Sequence, residues 1–147
     1  MSDPFELDSR LAADTFLVGE TPLSQVLLMN DARYPWLILV PRRADIAEPF
    51  ELSEPDQAQL WRESMRLGQA MKAHFAAGKL NIAALGNQVA QLHVHHIARC
   101  HADDAWPGPV WGVGSAVPYQ KTALDALMDD LRSVLRAPLG LTGATHE

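Results

Sequence analysis

Six consecutive apolar residues, Trp36-Leu37-Ile38-Leu39-Val40-Pro41, limit the fold of this chain more than any other segment. The run is far short of the roughly 18 apolar residues a membrane span requires, and its length is that of a strand. It reads as a central strand covered on at least one face, with Pro41 ending it. Ser24-Gln25-Val26-Leu27-Leu28-Met29 precedes it as a second strand, and the polar turn Asn30-Asp31-Ala32-Arg33-Tyr34-Pro35 joins the two as a hairpin. Phe16-Leu17-Val18-Gly19 reads as a further short strand.

Two longer segments carry helical spacing. Ser53 is a good N-cap, followed by Pro55 in the first turn and by Glu54 and Asp56 at the positive end of the helix dipole. Leu60, Leu67, Met71 and Phe75, with Trp61 and Met65 beside them, form a stripe that predicts a helix to about Ala77, where Gly78 fits the left-handed C-terminal position. A second helix is expected from about Tyr119 to Arg136, burying Leu124, Leu127, Met128, Leu131 and Leu135. Between them, strands are expected at Leu80–Leu85 and Val89–Arg99, with a turn at Gly86-Asn87 and a loop over His101–Pro118. The order of strands, helix, strands and helix predicts an α+β fold around a mainly antiparallel sheet.

A chain of 147 residues suits one domain with one core, here about residues 5–112 followed by the helix at 119–136. Its 48% hydrophobic and 20% charged residues are those of a globular protein. The net charge of −6 provides no basic stripe for a nucleic-acid backbone, so duplex DNA or RNA is not expected as a partner, while a small phosphate-bearing ligand stays open. Cys100 is the single cysteine, so no intramolecular disulfide forms. The opening residues Met1-Ser2-Asp3-Pro4-Phe5-Glu6 do not resemble a signal peptide, and the expected compartment is the cytoplasm, with no membrane association.

The segment Gln91-Leu92-His93-Val94-His95-His96-Ile97 carries the chemistry. Strand pleating sends alternate side chains to opposite faces, so Gln91, His93, His95 and Ile97 share one face. Leu92, Val94, His96 and Ala98 share the other, where His96 has a structural role against a helix. Two imidazoles on one rigid strand supply a nucleophile and a hydrogen-bond donor, as phosphoryl or nucleotidyl transfer demands. The same spacing also occurs in metal sites, for which His101, Asp103 and Asp104 are the nearest further ligands.

The motif resembles that of the histidine triad family, His-φ-His-φ-His-φ-φ with φ apolar. Gln91 stands at the first triad position and His96 at a normally apolar one, while the central and last histidines are His93 and His95. The likeness spans roughly residues 16–111. Met29-Asn30-Asp31 followed by Trp36–Arg42 is similar to the strand pair that carries the family's nucleoside pocket, and Trp106-Pro107-Gly108 is similar to a tryptophan-containing segment after the triad. The resemblance implies a five-stranded sheet with two main helices. It assigns catalysis to His93, His95 and Gln91, with His93 attacking the α-phosphorus, its other ring nitrogen donating to a backbone carbonyl, and His95 contacting phosphate or leaving group. It places Asp31 on the ribose hydroxyls beside Asn30 and Met29, and Asn81, Gly86, Asn87 and Gln88 around the phosphate. Arg42 and Arg99 are further candidates for steering phosphate. Because Gln91 does not titrate, protonation of the leaving group is the step it weakens, which favours dinucleoside polyphosphates over phosphoramidates. No cofactor or metal is called for, and family members often form two-fold dimers by extending the sheet. A nucleotide-binding module without turnover and a histidine-liganded metalloprotein are the competing readings.

Overall fold

The computed structural model describes residues 4–143. In chain order the elements are helix α1 (Ser9–Asp14), strands β1 (Thr15–Glu20), β2 (Ser24–Met29) and β3 (Trp36–Pro41), helix α2 (Glu54–His74), strands β4 (Lys79–Ala83) and β5 (Val94–Arg99), and helix α3 (Lys121–Leu139). A turn of 3-10 helix at Pro49–Glu51 leads into α2. The five strands form one sheet in the order β1-β2-β3-β5-β4, antiparallel at every pairing.

The apolar run at residues 36–41 is β3, the centre of the sheet, and all six residues are buried. Alternation divides them between two layers. Leu37 and Leu39 join Val26, Leu28, Val94 and Ala98 under α2 and α3. Trp36, Ile38 and Val40 join Leu27 and Ile97 on the opposite face, beneath α1, Tyr34 and Val110. Each leucine or methionine fully removed from water, such as Leu67 and Met71 of α2, contributes about 1.5–3 kcal/mol.

Ser53 caps α2 as its composition predicts, its hydroxyl accepting from the Asp56 amide. The end of α2 departs from expectation. The helix stops at His74, Ala76 takes the left-handed conformation at φ 50°, and the Gly78 amide donates to the Arg99 carbonyl. Sheet pairing at the start of β4 claims Gly78, so the reversal falls earlier. Trp61 and Met65 lie on the solvent side of α2, at 64% and 36% exposure. The second main helix begins near its expected start and extends to Leu139, past Pro138, because Leu139 reaches the core and Gly140 supplies the left-handed turn. Helix α1 has no counterpart in the sequence reading, since six residues are too few for apolar spacing to register. β4 ends at Ala83, before Leu85, and β5 begins at Val94 rather than Val89, so Gln91 and His93 stand on the connection that leads into β5.

Candidate active site

Strand β5 sits between β3 and β4, with His95 opposite Ile38 and His96 opposite Leu37. The alternation of faces holds across it: His95 and Ile97 look toward the layer under α1, and His96 toward α2. His96 is fully buried; its Nδ1 lies 3.1 Å from the Val94 carbonyl and its Nε2 2.7 Å from the Ser64 hydroxyl. A carbonyl only accepts, so Nδ1 carries the proton and Ser64 donates to Nε2. Burial holds the ring neutral, with its pKa lowered to about 4.

His93 and His95 lie side by side, their ring centroids 4.9 Å apart and their planes at 73°. Nδ1 of His93 is 2.7 Å from the Gln91 carbonyl. That contact places the proton on Nδ1 and leaves the Nε2 lone pair in the in-plane direction a nucleophile needs. His95 has the opposite tautomer. The Trp36 indole N–H donates to its Nδ1 at 3.0 Å, so the ring proton resides on Nε2, 3.2 Å from the Leu85 carbonyl. Burial, followed by the neighbouring His93, lowers the His95 pKa to about 4. The edge of Trp111 closes the far side at 5.1 Å between centroids.

Both histidines line a cleft of about 330 Å³, within the range of small-molecule sites. Their low exposure, 5% for His93 and 4% for His95, reflects the depth of this cleft rather than enclosure in the core. The loop Leu85-Gly86-Asn87-Gln88-Val89 forms one wall, and Met29, Trp36 and Trp111 form an apolar one. Gly86 must be small: a Cβ there would sit 2.7 Å from the Val89 carbonyl oxygen and 3.5 Å from the His93 ring. Helix α1 contributes Leu11 and Asp14. Asp14 is the only carboxylate among the described residues that line it, and with α1 it went unseen in the sequence.

Of the residues singled out from sequence, Met29, Gly86, Asn87, Gln88, His93 and His95 meet at this cleft. Others turn elsewhere. Asp31 is 2% exposed, paired through both oxygens with Arg33, and accepts from the backbone amides of Arg33 and Val117. Burial alone would raise its carboxyl; the hydrogen bonds from Arg33 and Val117 outweigh it and hold the pKa low. The Asn30 side-chain oxygen accepts from the Tyr119 amide. These two residues therefore tether the 113–119 segment, which Arg33 also grips through the Val113 carbonyl at 2.6 Å. Asn81 accepts from Arg99, and Arg99 is held by both oxygens of Asp103 and by the Gly108 carbonyl. Arg42 donates to the Thr21 and Pro22 carbonyls. Neither arginine is free to steer phosphate. The Gln91 carbonyl serves His93, but its side chain grips the N-terminal segment, Nε2 donating to the Glu6 carbonyl and Oε1 accepting from the Asp8 amide.

Two of the three proposed further metal ligands are likewise engaged, and the third, Asp104, is exposed. Asp103 binds Arg99, and His101 stacks on Trp106 at 4.6 Å. Among the described residues, no group of three or more His, Cys, Asp and Glu side chains is placed to hold a metal ion.

Residues 10–102 match the HIT domain. The chain belongs to the histidine triad family. Three solved histidine triad proteins share its fold and much of its sequence. The protein from Marinobacter aquaeolei VT8 is 47% identical over 92% of this chain and 98% of its own, with a TM-score of 0.90. Those from Bradyrhizobium japonicum and Sinorhizobium meliloti 1021 are 48% and 49% identical, each with a TM-score of 0.86. They cover 93% and 88% of this chain. No curated protein matches. Membership supports nucleotide binding with hydrolase or transferase chemistry in general, and among the described residues no helix is long and apolar enough to cross a membrane.

Proposed function

We propose that this histidine triad protein is a hydrolase or nucleotidyl transferase acting at the α-phosphate of a nucleoside polyphosphate, a dinucleoside polyphosphate being the preferred class. The observation that carries this reading is the His93 ring, which donates from Nδ1 to a backbone carbonyl at 2.7 Å and keeps Nε2 for the cleft. A neutral imidazole so held attacks phosphorus in line and forms a nucleotidyl-histidine, which water or another acceptor resolves. His95 donates from Nε2 to a phosphoryl oxygen, and the loop Gly86-Asn87-Gln88 lies along the polyphosphate. Met29, Leu11 and the two tryptophans Trp36 and Trp111 offer apolar surface for the nucleoside. With Asp31 committed to Arg33, the group for the ribose hydroxyls is Asp14. The reaction needs no cofactor in this reading, and its place is the cytoplasm.

Incubation with an α-phosphorus-labelled diadenosine polyphosphate, followed by rapid denaturation, tests it. Label bound covalently to the protein and lost in His93→Ala supports nucleotidyl transfer; no label on wild-type protein that still binds nucleotide favours the binding-module reading. We also propose a homodimer. The edge strand β4 exposes Lys79 and Ile82, and Trp61 and Met65 of α2 lie exposed nearby, so a second copy could extend the sheet and cover this apolar face.

A further inference from the structure

We infer that Trp36 fixes His95 as a hydrogen-bond donor that never gives up its proton, which restricts this site to bonds whose leaving group departs unprotonated. The inference rests on the nucleotide reading for its substrate, and on geometry alone for the hydrogen bond.

Trp36 stands opposite Ile97 in the register of β3 with β5, so His95 is its diagonal neighbour on the same face. Diagonal positions lie about 7–8 Å apart, within reach of an indole. The indole N–H can only donate, and it donates to His95 Nδ1 at 3.0 Å. A protonated Nδ1 would set two donors against each other in a spot that is 4% exposed. Among the described residues, the groups packed around the ring offer little compensation: Trp36 and Trp111 are neutral, His93 presents a second imidazole, and Asp14 is the lone carboxylate of the cleft lining. Burial adds to the effect, holding the pKa at about 4. His95 therefore stays neutral, with its single proton on Nε2, and a neutral imidazole N–H is far too weak an acid to protonate a leaving group.

The reaction then balances without an acid. The His93 Nε2 lone pair forms the N–P bond while the bond from the α-phosphorus to the bridging oxygen breaks, and the electron pair leaves with a polyphosphate that is a stable anion at neutral pH. His95 moves its Nε2–H from the Leu85 carbonyl to a phosphoryl oxygen and retains the proton. In the second half, a water oxygen bonds phosphorus, the N–P pair returns to His93 and a proton passes to solvent. A phosphoramidate would have to expel an amide anion unless its nitrogen were protonated. Gln91 supplies no such proton, since its side chain is committed to Glu6 and Asp8.

Nitrogen NMR of the imidazoles in the full unliganded chain tests the hydrogen bond, and relative kcat/KM on a diadenosine polyphosphate and an adenosine phosphoramidate tests the consequence. The expected spectrum has His95 protonated on Nε2 and bare on Nδ1 at neutral pH, with Nδ1–H appearing in Trp36→Phe. Wild type should prefer the anhydride by about 10²-fold or more, and folded Trp36→Phe should narrow that gap by about tenfold. His95→Gln, which retains a donor that cannot titrate, should lose less anhydride turnover than His95→Ala, and equal losses in the two overturn the donor role. An Nδ1–H tautomer in wild type overturns the inference whatever the turnover, as does equal cleavage of the two substrates or an unchanged gap in folded Trp36→Phe. Turnover of neither substrate with the Nε2–H tautomer intact sinks the nucleotide reading and the substrate class with it, while the hydrogen bond stands.

Discussion

The main-chain carbonyl of Gln91 lies 2.7 Å from Nδ1 of His93, so the contact that orients the proposed nucleophile survives any change of the Gln91 side chain. That side chain instead ties down residues 6 and 8. Gln91→Ala should therefore leave nucleotidyl trapping on His93 intact and cost about 1 kcal/mol of stability from the lost hydrogen bonds. Amide exchange across residues 5–14 should quicken, and mass-resolved exchange together with urea unfolding would check both effects.

Gly86 faces His93 with no room for a side chain, because its Cβ would meet backbone rather than a movable group. Gly86→Ala should push the 85–89 loop outward and lower kcat/KM about tenfold or more, a loss typical of a small misplacement in a positioned site. The melting temperature should change little, since the loop is exposed. Steady-state kinetics beside a thermal melt would separate the two.

His95 and His96 both have pKa values lowered from 6.5 to about 4, and the sign of their effect on stability follows. Between those values the unfolded chain takes up two protons that the folded chain refuses, so stability rises with pH there. It is fully present above about 6.5 and is lost as pH falls toward 4, by about 2 kcal/mol per histidine at pH 5. Urea unfolding from pH 7 to pH 5 should show this slope, and His95→Gln should remove about half of it.

Arg99, 1% exposed, joins β5 to the loop that carries Trp106 through Asp103 and Gly108, and to β4 through Asn81. Arg99→Lys leaves part of that buried set unpaired. It should cost about 3 kcal/mol in denaturant unfolding, where a surface arginine would cost almost nothing.

If a second copy covers the face around β4, Trp61→Glu should shift the protein from dimer to monomer, because it buries a charge in the shared apolar surface. Sedimentation equilibrium would reveal the shift. A wild-type protein that is monomeric at micromolar concentration would overturn the dimer.

The five strands, two main helices and the division of β5 into two faces were legible in the sequence. They follow from local rules: a strand alternates its side chains, and a helix repeats its apolar positions every three or four residues. The proposed nucleophile could be singled out because His93 and His95 are two residues apart, and their rings lie side by side although His93 stands just before the first residue of β5. Helix α1 was missed, and Asp14 with it, because one and a half turns carry no periodic signal.

The partners of the polar groups were beyond local rules. Asp31 stood where a ribose ligand was expected, yet Arg33 and the amide of Val117, 86 residues further on, engage its oxygens. Gln91 stands at the first triad position, and its side chain bonds to the N-terminal segment. Backbone geometry settles within a few positions which residues lie on which face, so that much could be read from the order of residues. That Trp36 donates to His95 across 59 residues of chain was settled by folding, because a side chain takes its hydrogen-bond partner from whatever donors and acceptors strand register and loop packing bring within about 3 Å.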